Sequence, residues 1–129
     1  MKLKNIEYEL YDSEYDYVSN LSNSKLNELD REIKLVFDNG EIIYIYWTDE
    51  PVQFCVGFGK KRSYITKPEK TINTTKWKLW APFIGSTIEI KYIEKDHEMI
   101  ELSNENSSLF LWAGGENGSD TLCVSSEKP

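Results

Sequence analysis

The sequence contains few of the residues from which metal sites and disulfide frameworks are built. Among its 129 residues there are one histidine, His97, and two cysteines, Cys55 and Cys123. One histidine cannot assemble a metal site without other ligands, and two cysteines are too few for a disulfide scaffold. Both cysteines lie in apolar stretches, so we expect them to be small buried residues. We therefore predict neither a metal nor a cofactor.

Long hydrophobic runs and a signal peptide are also missing. No apolar run approaches the roughly 20 residues that a membrane helix needs. The basic residues near Met1 are not followed by an apolar stretch, as they would be in a secretory signal. The net charge of −7 argues against binding to nucleic acid or to an anionic membrane surface. We expect a cytoplasmic protein.

No catalytic motif accompanies this composition. His97 has no nucleophile elbow beside it, and the glycine-rich segment 114–120 lacks the lysine and hydroxyl pair of a phosphate-binding loop. With 22 acidic residues, pairs of neighbouring carboxylates arise by chance. The sequence therefore predicts a protein that is not an enzyme.

The strongest local pattern is a β-hairpin between residues 33 and 47. Two runs of β-branched and aromatic residues flank Asn39-Gly40, a dipeptide typical of a two-residue type I′ turn. Alternation predicts one buried face for the hairpin. Its expected members are Ile33, Leu35, Phe37, Ile43, Ile45 and Trp47.

Further alternating segments predict a mainly β, antiparallel protein with little helix. Strands are expected at 52–58, 97–103, 108–113 and 121–126, and an edge strand at 5–11. One or two helical turns are predicted within 19–30, and loops at 59–76 and 114–120. A sandwich and a partly open barrel both satisfy this pattern.

The second half repeats the apolar pattern of the first at an offset of 55 residues, so that Ile33 corresponds to Ile88 and Ile45 to Ile100. We interpret the chain as a single domain, 1–129, with a lead-in at 1–28 and three-stranded modules at 29–66 and 80–126. Two such modules could bury each other's apolar faces. Chance similarity between two amphipathic hairpins is the alternative to a duplication.

All of the net negative charge lies in the first fifty residues, which hold 12 acidic and 5 basic side chains. Within them, segment 7–17 combines carboxylates with tyrosines, which offer contact area and hydroxyl groups to a partner. An exposed strand with solvated acids is the alternative interpretation. The predicted partner-binding residues are Glu7, Tyr8, Glu9, Tyr11, Asp12, Glu14, Tyr15, Asp16, Tyr17, Asp49 and Glu50.

Two other features support weaker hypotheses. Segment 60–78 is basic and could contact phosphate, although lysines in a solvated loop that discourage aggregation explain it better. The four tryptophans could line an apolar pocket in a small-molecule-binding or structural β domain. These are Trp47, Trp77, Trp80 and Trp112.

A short acidic domain with the strand-rich segment 32–47 and the related segment 80–102 resembles the small cytoplasmic immunity proteins of bacterial polymorphic-toxin and contact-dependent growth inhibition systems. The resemblance implies a non-catalytic protein that binds and neutralises a cognate toxin domain, often a nuclease. Since that class shares no motif, it assigns no binding residue. With the charge distribution, it predicts a basic toxin as the partner.

Overall fold

The structure, a computed structural model, describes residues 1–48, 55–64, 66–93, 98–115 and 118–129, with the backbone alone at 115 and 118–120. Within these ranges the chain forms ten strands, a one-turn helix and two 3₁₀ turns. The strands are β1 (Leu3–Leu10), β2 (Leu26–Leu29), β3 (Glu32–Phe37), β4 (Ile42–Thr48), β5 (Cys55–Gly59), β6 (Lys70–Asn73), β7 (Glu89–Tyr92), β8 (Met99–Ser103), β9 (Ser108–Gly115) and β10 (Gly118–Ser125). The helix α1 spans Tyr15–Val18, and the 3₁₀ turns span Asp12–Glu14 and Ala81–Phe83.

The strands form two five-stranded antiparallel sheets that pack against each other without closing into a barrel. The first sheet has the order β5-β4-β3-β1-β6, and the second has the order β2-β10-β9-β8-β7. The mainly β, antiparallel prediction is therefore confirmed in its sandwich form.

The core lies between the two inner faces. Alternate residues of each strand point into it, as the twofold period of a strand requires. From the first sheet these include Ile6, Ile33, Leu35, Ile45 and Val56, and from the second Ile100, Leu102, Leu109, Leu111, Leu122 and Val124, each at most 1% exposed. The predicted buried face of the hairpin is confirmed for Ile33, Leu35, Phe37 and Ile45, whereas Ile43 is partly buried at its border and Trp47 is partly buried outside the core cluster.

The hairpin turn differs from the predicted two-residue type. The Gly40 N–H donates to the Phe37 carbonyl (3.0 Å) and the Phe37 N–H donates to the Glu41 carbonyl (2.9 Å). The loop therefore holds Asp38, Asn39 and Gly40, with Gly40 at φ +86°. A three-residue hairpin of this kind ends on a residue in the left-handed region, where glycine is least strained.

Four further local predictions were wrong. In the predicted loop 114–120, β9 extends to Gly115 and β10 begins at Gly118. Strand β1 lies between β3 and β6 and is not at an edge. The segment expected to hold helical turns instead contains β2, which pairs with β10, while the single helical turn comes earlier, at α1. The predicted loop 59–76 contains β6, which pairs with β1 and forms an edge of the first sheet.

The two predicted modules correspond to β3-β4-β5 and β7-β8-β9, three-stranded meanders that lie in opposite sheets. Their pairing registers differ. Ile33 pairs with Ile45, so an offset of 55 would pair Ile88 with Ile100, yet Ile100 pairs with Tyr92. The apolar pattern therefore repeats along the chain without a matching repeat in register, and a common origin of the modules stays a prediction.

Two smaller expectations concern the cysteines and membrane helices. Cys55 and Cys123 are both buried, as predicted, and lie in different sheets. Among the described helices, none has the length and apolarity required to cross a bilayer.

Candidate functional site

Tyr8 was predicted to contact a partner, but the structure places it in the core. Its ring is fully buried, and its hydroxyl accepts a hydrogen bond from Trp80 Nε1 and donates one to Asn27 Oδ1, each at 2.7 Å. Burial raises the pKa of Tyr8 well above its usual range. Since Tyr8 belongs to the first sheet and Asn27 to the second, this chain of hydrogen bonds joins the sheets, and Tyr8 cannot reach a partner.

Glu9 is also removed from the predicted surface. It points to the outer face of the first sheet but is only 1% exposed, because Arg62 covers it. Arg62 Nε donates to Glu9 Oε1 (2.8 Å) and Nη2 donates to Oε2 (2.7 Å), a two-pronged ion pair. The hydrogen bonds to Glu9 raise the pKa of Arg62. Glu9 therefore secures its own chain rather than a partner.

Glu32 lies directly opposite Glu9 on the adjacent strand and is fully buried. The Ser63 N–H donates to its Oε2 (3.0 Å), while Oε1 has no hydrogen-bond partner among the described residues. Burial raises the pKa of Glu32 to about 7, and the Glu9 carboxylate adds to the increase, against the lowering effects of Ser63 and of the two arginines Arg31 and Arg62. Glu32 can therefore hold a proton near neutral pH.

Arg31, the residue before β3, binds the loop that contains Arg62 and Ser63. It is 1% exposed, and its guanidinium donates to the carbonyls of Thr66 (2.7 Å) and Lys67 (3.1 Å). The guanidinium also lies 4.6 Å from the ring centre of Tyr64 and 5.4 Å from that of Tyr11, within cation–π range. We call Glu9, Glu32, Arg31 and Arg62 the charged cluster, and residues 60–64 and 66–69 the basic loop.

The basic loop is thus not the fully solvated segment that was predicted. Its lysines are exposed, but Arg62 and Tyr64 turn inward, and the Tyr64 hydroxyl donates to the Asp30 carbonyl (3.0 Å). The loop covers Glu9 and Glu32 on the outer face of the first sheet with groups that complement these buried carboxylates. A phosphate contact through Arg62 would have to compete with Glu9.

Of the remaining predicted residues, Glu14 is buried and serves the local fold. Its carboxylate accepts hydrogen bonds from the Asp30 N–H (2.7 Å) and the Tyr11 N–H (2.9 Å). Burial raises its pKa, which these two hydrogen bonds lower again in part. Asp12, Asp16 and Tyr17 are exposed, Glu7, Tyr11 and Tyr15 are half-buried, and Asp49 and Glu50 lie outside the described residues.

A second surface, which the sequence analysis did not select, lies on the outer face of the second sheet. Phe110 and Trp112 alternate with the buried Leu109 and Leu111 and so point away from the core. Both stay partly exposed, and neither belongs to the core cluster or packs against it. With Met99, which pairs with Trp112, and Leu26, which is 41% exposed, they form what we call the aromatic face.

Carboxylates border the aromatic face. On the outer face, Glu28 of β2 pairs with Cys123 of β10, which in turn pairs with Trp112 of β9. Asp30 follows β2 two residues after Glu28, so the alternation of the strand places it on the same side. Helix α1 packs beside β2 and adds Asp16 and the exposed Tyr17. We call Glu28, Asp30 and Asp16 the acidic edge. It retains part of the acidic N-terminal charge next to exposed aromatic rings.

Among the described residues, the Cys123 thiol is protonated and no cluster of metal ligands is found. Burial, helped by the charge of Glu28, raises the pKa of Cys123 to about 12, so its thiol stays protonated and donates to the Gly114 carbonyl (2.9 Å). No three His, Cys, Asp or Glu side chains of the described residues converge as metal ligands would. His97 lies outside those residues.

The tryptophans do not share a pocket. Trp80 and Trp77 pack around Tyr8 in the core, and Trp47 donates from its indole to the Asp30 carbonyl. Trp112 lies on the outer face of the second sheet, away from the core. A surface groove of about 770 Å³ does exist, but it is lined by Ser86, Thr87, Ile88, Glu89, Ser103, Asn104, Glu105 and Asn106. Within the described part of the chain, the four tryptophans are therefore not gathered around one groove, and a small-molecule site stays a prediction.

Two groups of residues were missed, for different reasons. The run 109–113 is apolar without a break, which is unusual for an antiparallel strand with one wet face, so Phe110 and Trp112 did carry a sequence signal. The charged cluster carried no such signal in the sequence, because its members come from three separate segments.

Comparisons with protein families, with curated proteins and with solved structures give no match.

Proposed function

We propose that this protein is a non-catalytic immunity protein, which binds a basic protein toxin through the aromatic face and the acidic edge and so neutralises it. The observation that carries the proposal is strand β9, which is apolar on both sides because Phe110 and Trp112 point outward, although Glu101 lies opposite Phe110 on the same face. A sheet that keeps one face in water alternates apolar and polar residues. An apolar outer face is therefore suited to being covered by another protein.

The residue types at this surface are those that anchor protein interfaces. Tryptophan and phenylalanine supply large buried areas at the centre of an interface, and charged residues at the rim supply specificity and faster association. Here the rim residues Glu28, Asp30 and Asp16 are acidic, and the whole chain carries −7. Charge complementarity therefore favours a basic partner, with an affinity that weakens as salt is added.

The proposal is tested by co-expressing the tagged protein with the C-terminal domain of the protein encoded immediately upstream, whatever that protein is. We expect a stoichiometric complex that survives moderate salt, together with rescued growth of the host. Trp112→Ala should weaken the complex about 30-fold or more, as loss of a central aromatic anchor does. Tyr46→Ala removes a half-buried aromatic residue from the outer face of the first sheet and is the matched control, with an affinity within about twofold of wild type.

The acidic edge is tested separately through the association rate. Glu28→Gln combined with Asp16→Asn should slow association at low salt while leaving the dissociation rate nearly unchanged. Glu89→Gln combined with Glu105→Gln removes equal charge from the surface groove and should have a smaller effect. Absence of both complex and toxicity, or full affinity in Trp112→Ala, would overturn the proposal.

A further inference from the structure

The charged cluster leaves two buried polar atoms without a hydrogen-bond partner among the described residues, Arg31 Nε and Glu32 Oε1. Glu9 is bound on both oxygens by Arg62, whereas Glu32 receives a single hydrogen bond, from Ser63, and its other buried oxygen has no partner among the described residues. An ionised carboxylate is costly to bury with one oxygen unpartnered, and far less so when it is neutral. The position of Glu32 therefore favours the protonated acid.

The neighbours of Glu32 reinforce this preference. Glu9 stands directly opposite on β1, and like charges at paired positions repel. Arg31, the residue before β3, donates from its two terminal nitrogens to the carbonyls of Thr66 and Lys67. On β4, Tyr46 lies directly opposite Glu32. Tyr44 on the same strand and Tyr64 in the loop also face the cluster, and burial raises the pKa of these two, so neither of them ionises near neutral pH.

We propose that the basic loop is a proton-linked latch, held closed over the outer face of the first sheet while Glu32 is protonated and opening more often once that proton is lost. The contact from Ser63 to Glu32 is part of the closure itself, beside the Arg62–Glu9 pair and the contacts of Arg31. Opening brings Glu32 into water and exposes Arg62 and the carboxylates beneath it. The latch contains no residue of the aromatic face, although Tyr64 of the basic loop donates to the Asp30 carbonyl at the acidic edge.

The sign of the pH effect follows from the two states. In the closed state the pKa of Glu32 is raised from 4.5 to about 7, while in the open state it returns towards the ordinary value. The closed state therefore binds more protons than the open state between these values, and raising the pH through this window favours opening. Above about pH 7 the effect levels off, since Glu32 is then ionised in both states.

Native-state amide exchange of Ser63 tests the latch on the whole protein. After correction for the intrinsic exchange rate, the protection of the Ser63 N–H should fall at least about tenfold between about pH 5.5 and pH 8. Glu32→Gln should remove this dependence, and Glu28→Gln, a carboxylate outside the cluster, should keep it. Ser63 should also exchange faster than Leu35 in the core, because the opening is local.

The opposite results would overturn the proposal. They are protection of Ser63 that does not change with pH, a pH dependence that persists in Glu32→Gln, or exchange of Ser63 only as fast as that of Leu35. Should Glu32→Gln not fold, a carboxyl ¹³C titration of the wild-type protein decides instead. A midpoint for Glu32 near 7 supports the latch, and a midpoint below about 5 refutes it.

Discussion

The outer face of the first sheet carries charged side chains beneath a loop of the same chain, whereas the outer face of the second sheet carries aromatic side chains that stay partly exposed. In the first, Arg62 and Ser63 supply hydrogen bonds to Glu9 and Glu32, so carboxylates can be buried. In the second, Trp112 is flanked on neighbouring strands by Met99 and Cys123.

Under the proposed function, the first sheet is covered by a loop of the same chain and the second by a partner protein. This difference accounts for the charged side chains on one face and the aromatic side chains on the other. A cover from the same chain stays tethered to the surface beneath it, so it can satisfy buried charges, for which an absent partner would be very costly. A surface that awaits another molecule must also be tolerated in water, and a few aromatic rings with acidic neighbours meet that requirement. We therefore expect charge to govern stability on one face and aromatic contact to govern binding on the other.

The largest effect is expected for Arg62→Met. The substitution leaves Glu9 buried without its partner, which should lower the free energy of unfolding by about 2–3 kcal/mol, below the full value for a buried pair because the Arg62 side chain is one third exposed. Urea denaturation at neutral pH measures it. Lys61→Met, the exposed neighbour, should stay within about 0.5 kcal/mol. Equal stability of the two variants would mean that the loop does not secure the first sheet.

The next effect concerns the core between the two faces. Tyr8→Phe keeps the ring but leaves Trp80 Nε1 and Asn27 Oδ1 without their hydrogen bonds, and both residues are fully buried. We expect a loss of about 2 kcal/mol in the free energy of unfolding. Tyr17→Phe, which removes a hydroxyl from a ring that is 59% exposed, is the control with almost no change. A Tyr8 variant as stable as wild type would contradict the linking role of this chain of hydrogen bonds.

A smaller, pH-dependent effect is expected at Glu32. Because folding raises the pKa of this carboxyl from 4.5 to about 7, wild-type stability should decline as the pH rises through this interval. Glu32→Gln should not show that decline and should be more stable than wild type at pH 8 by about 1–2 kcal/mol. Thermal unfolding at several pH values measures the difference. Parallel stability curves for the two proteins would show that Glu32 does not titrate in this range.

The sequence predicted those parts of the fold whose signals are local. The hairpin around Gly40 and strands β8 to β10 followed from turn residues and alternation. Strands β2 and β6 were missed because each has four residues and pairs with a distant part of the chain, Leu29 with Leu122 and Ile72 with Tyr8. Short strands with such long-range partners owe little to local propensity.

The candidate sites divide in the same way. The acidic, tyrosine-rich segment 7–17 was predicted to be exposed from its charge alone, without knowledge of which of its side chains a sheet would bury. Its alternation placed Tyr8 inward, and Glu9 became buried only because residue 62 returns to cover it. No local pattern in segment 7–17 could reveal that contact. The unbroken apolar run of β9, by contrast, could have directed attention to Phe110 and Trp112.

The smallest effect on stability is expected for Trp112→Thr. Threonine suits a strand, and the ring it replaces is only partly buried, so the free energy of unfolding should change by less than about 1 kcal/mol. The two outer faces are separated by the thickness of the sandwich, so combining this substitution with Arg62→Met should give additive changes within about 0.5 kcal/mol. Urea denaturation of the two single variants and the double variant measures the coupling. A large coupling would show that the faces communicate through the core, and a large loss in Trp112→Thr alone would make the aromatic face a structural element rather than a surface kept for a partner.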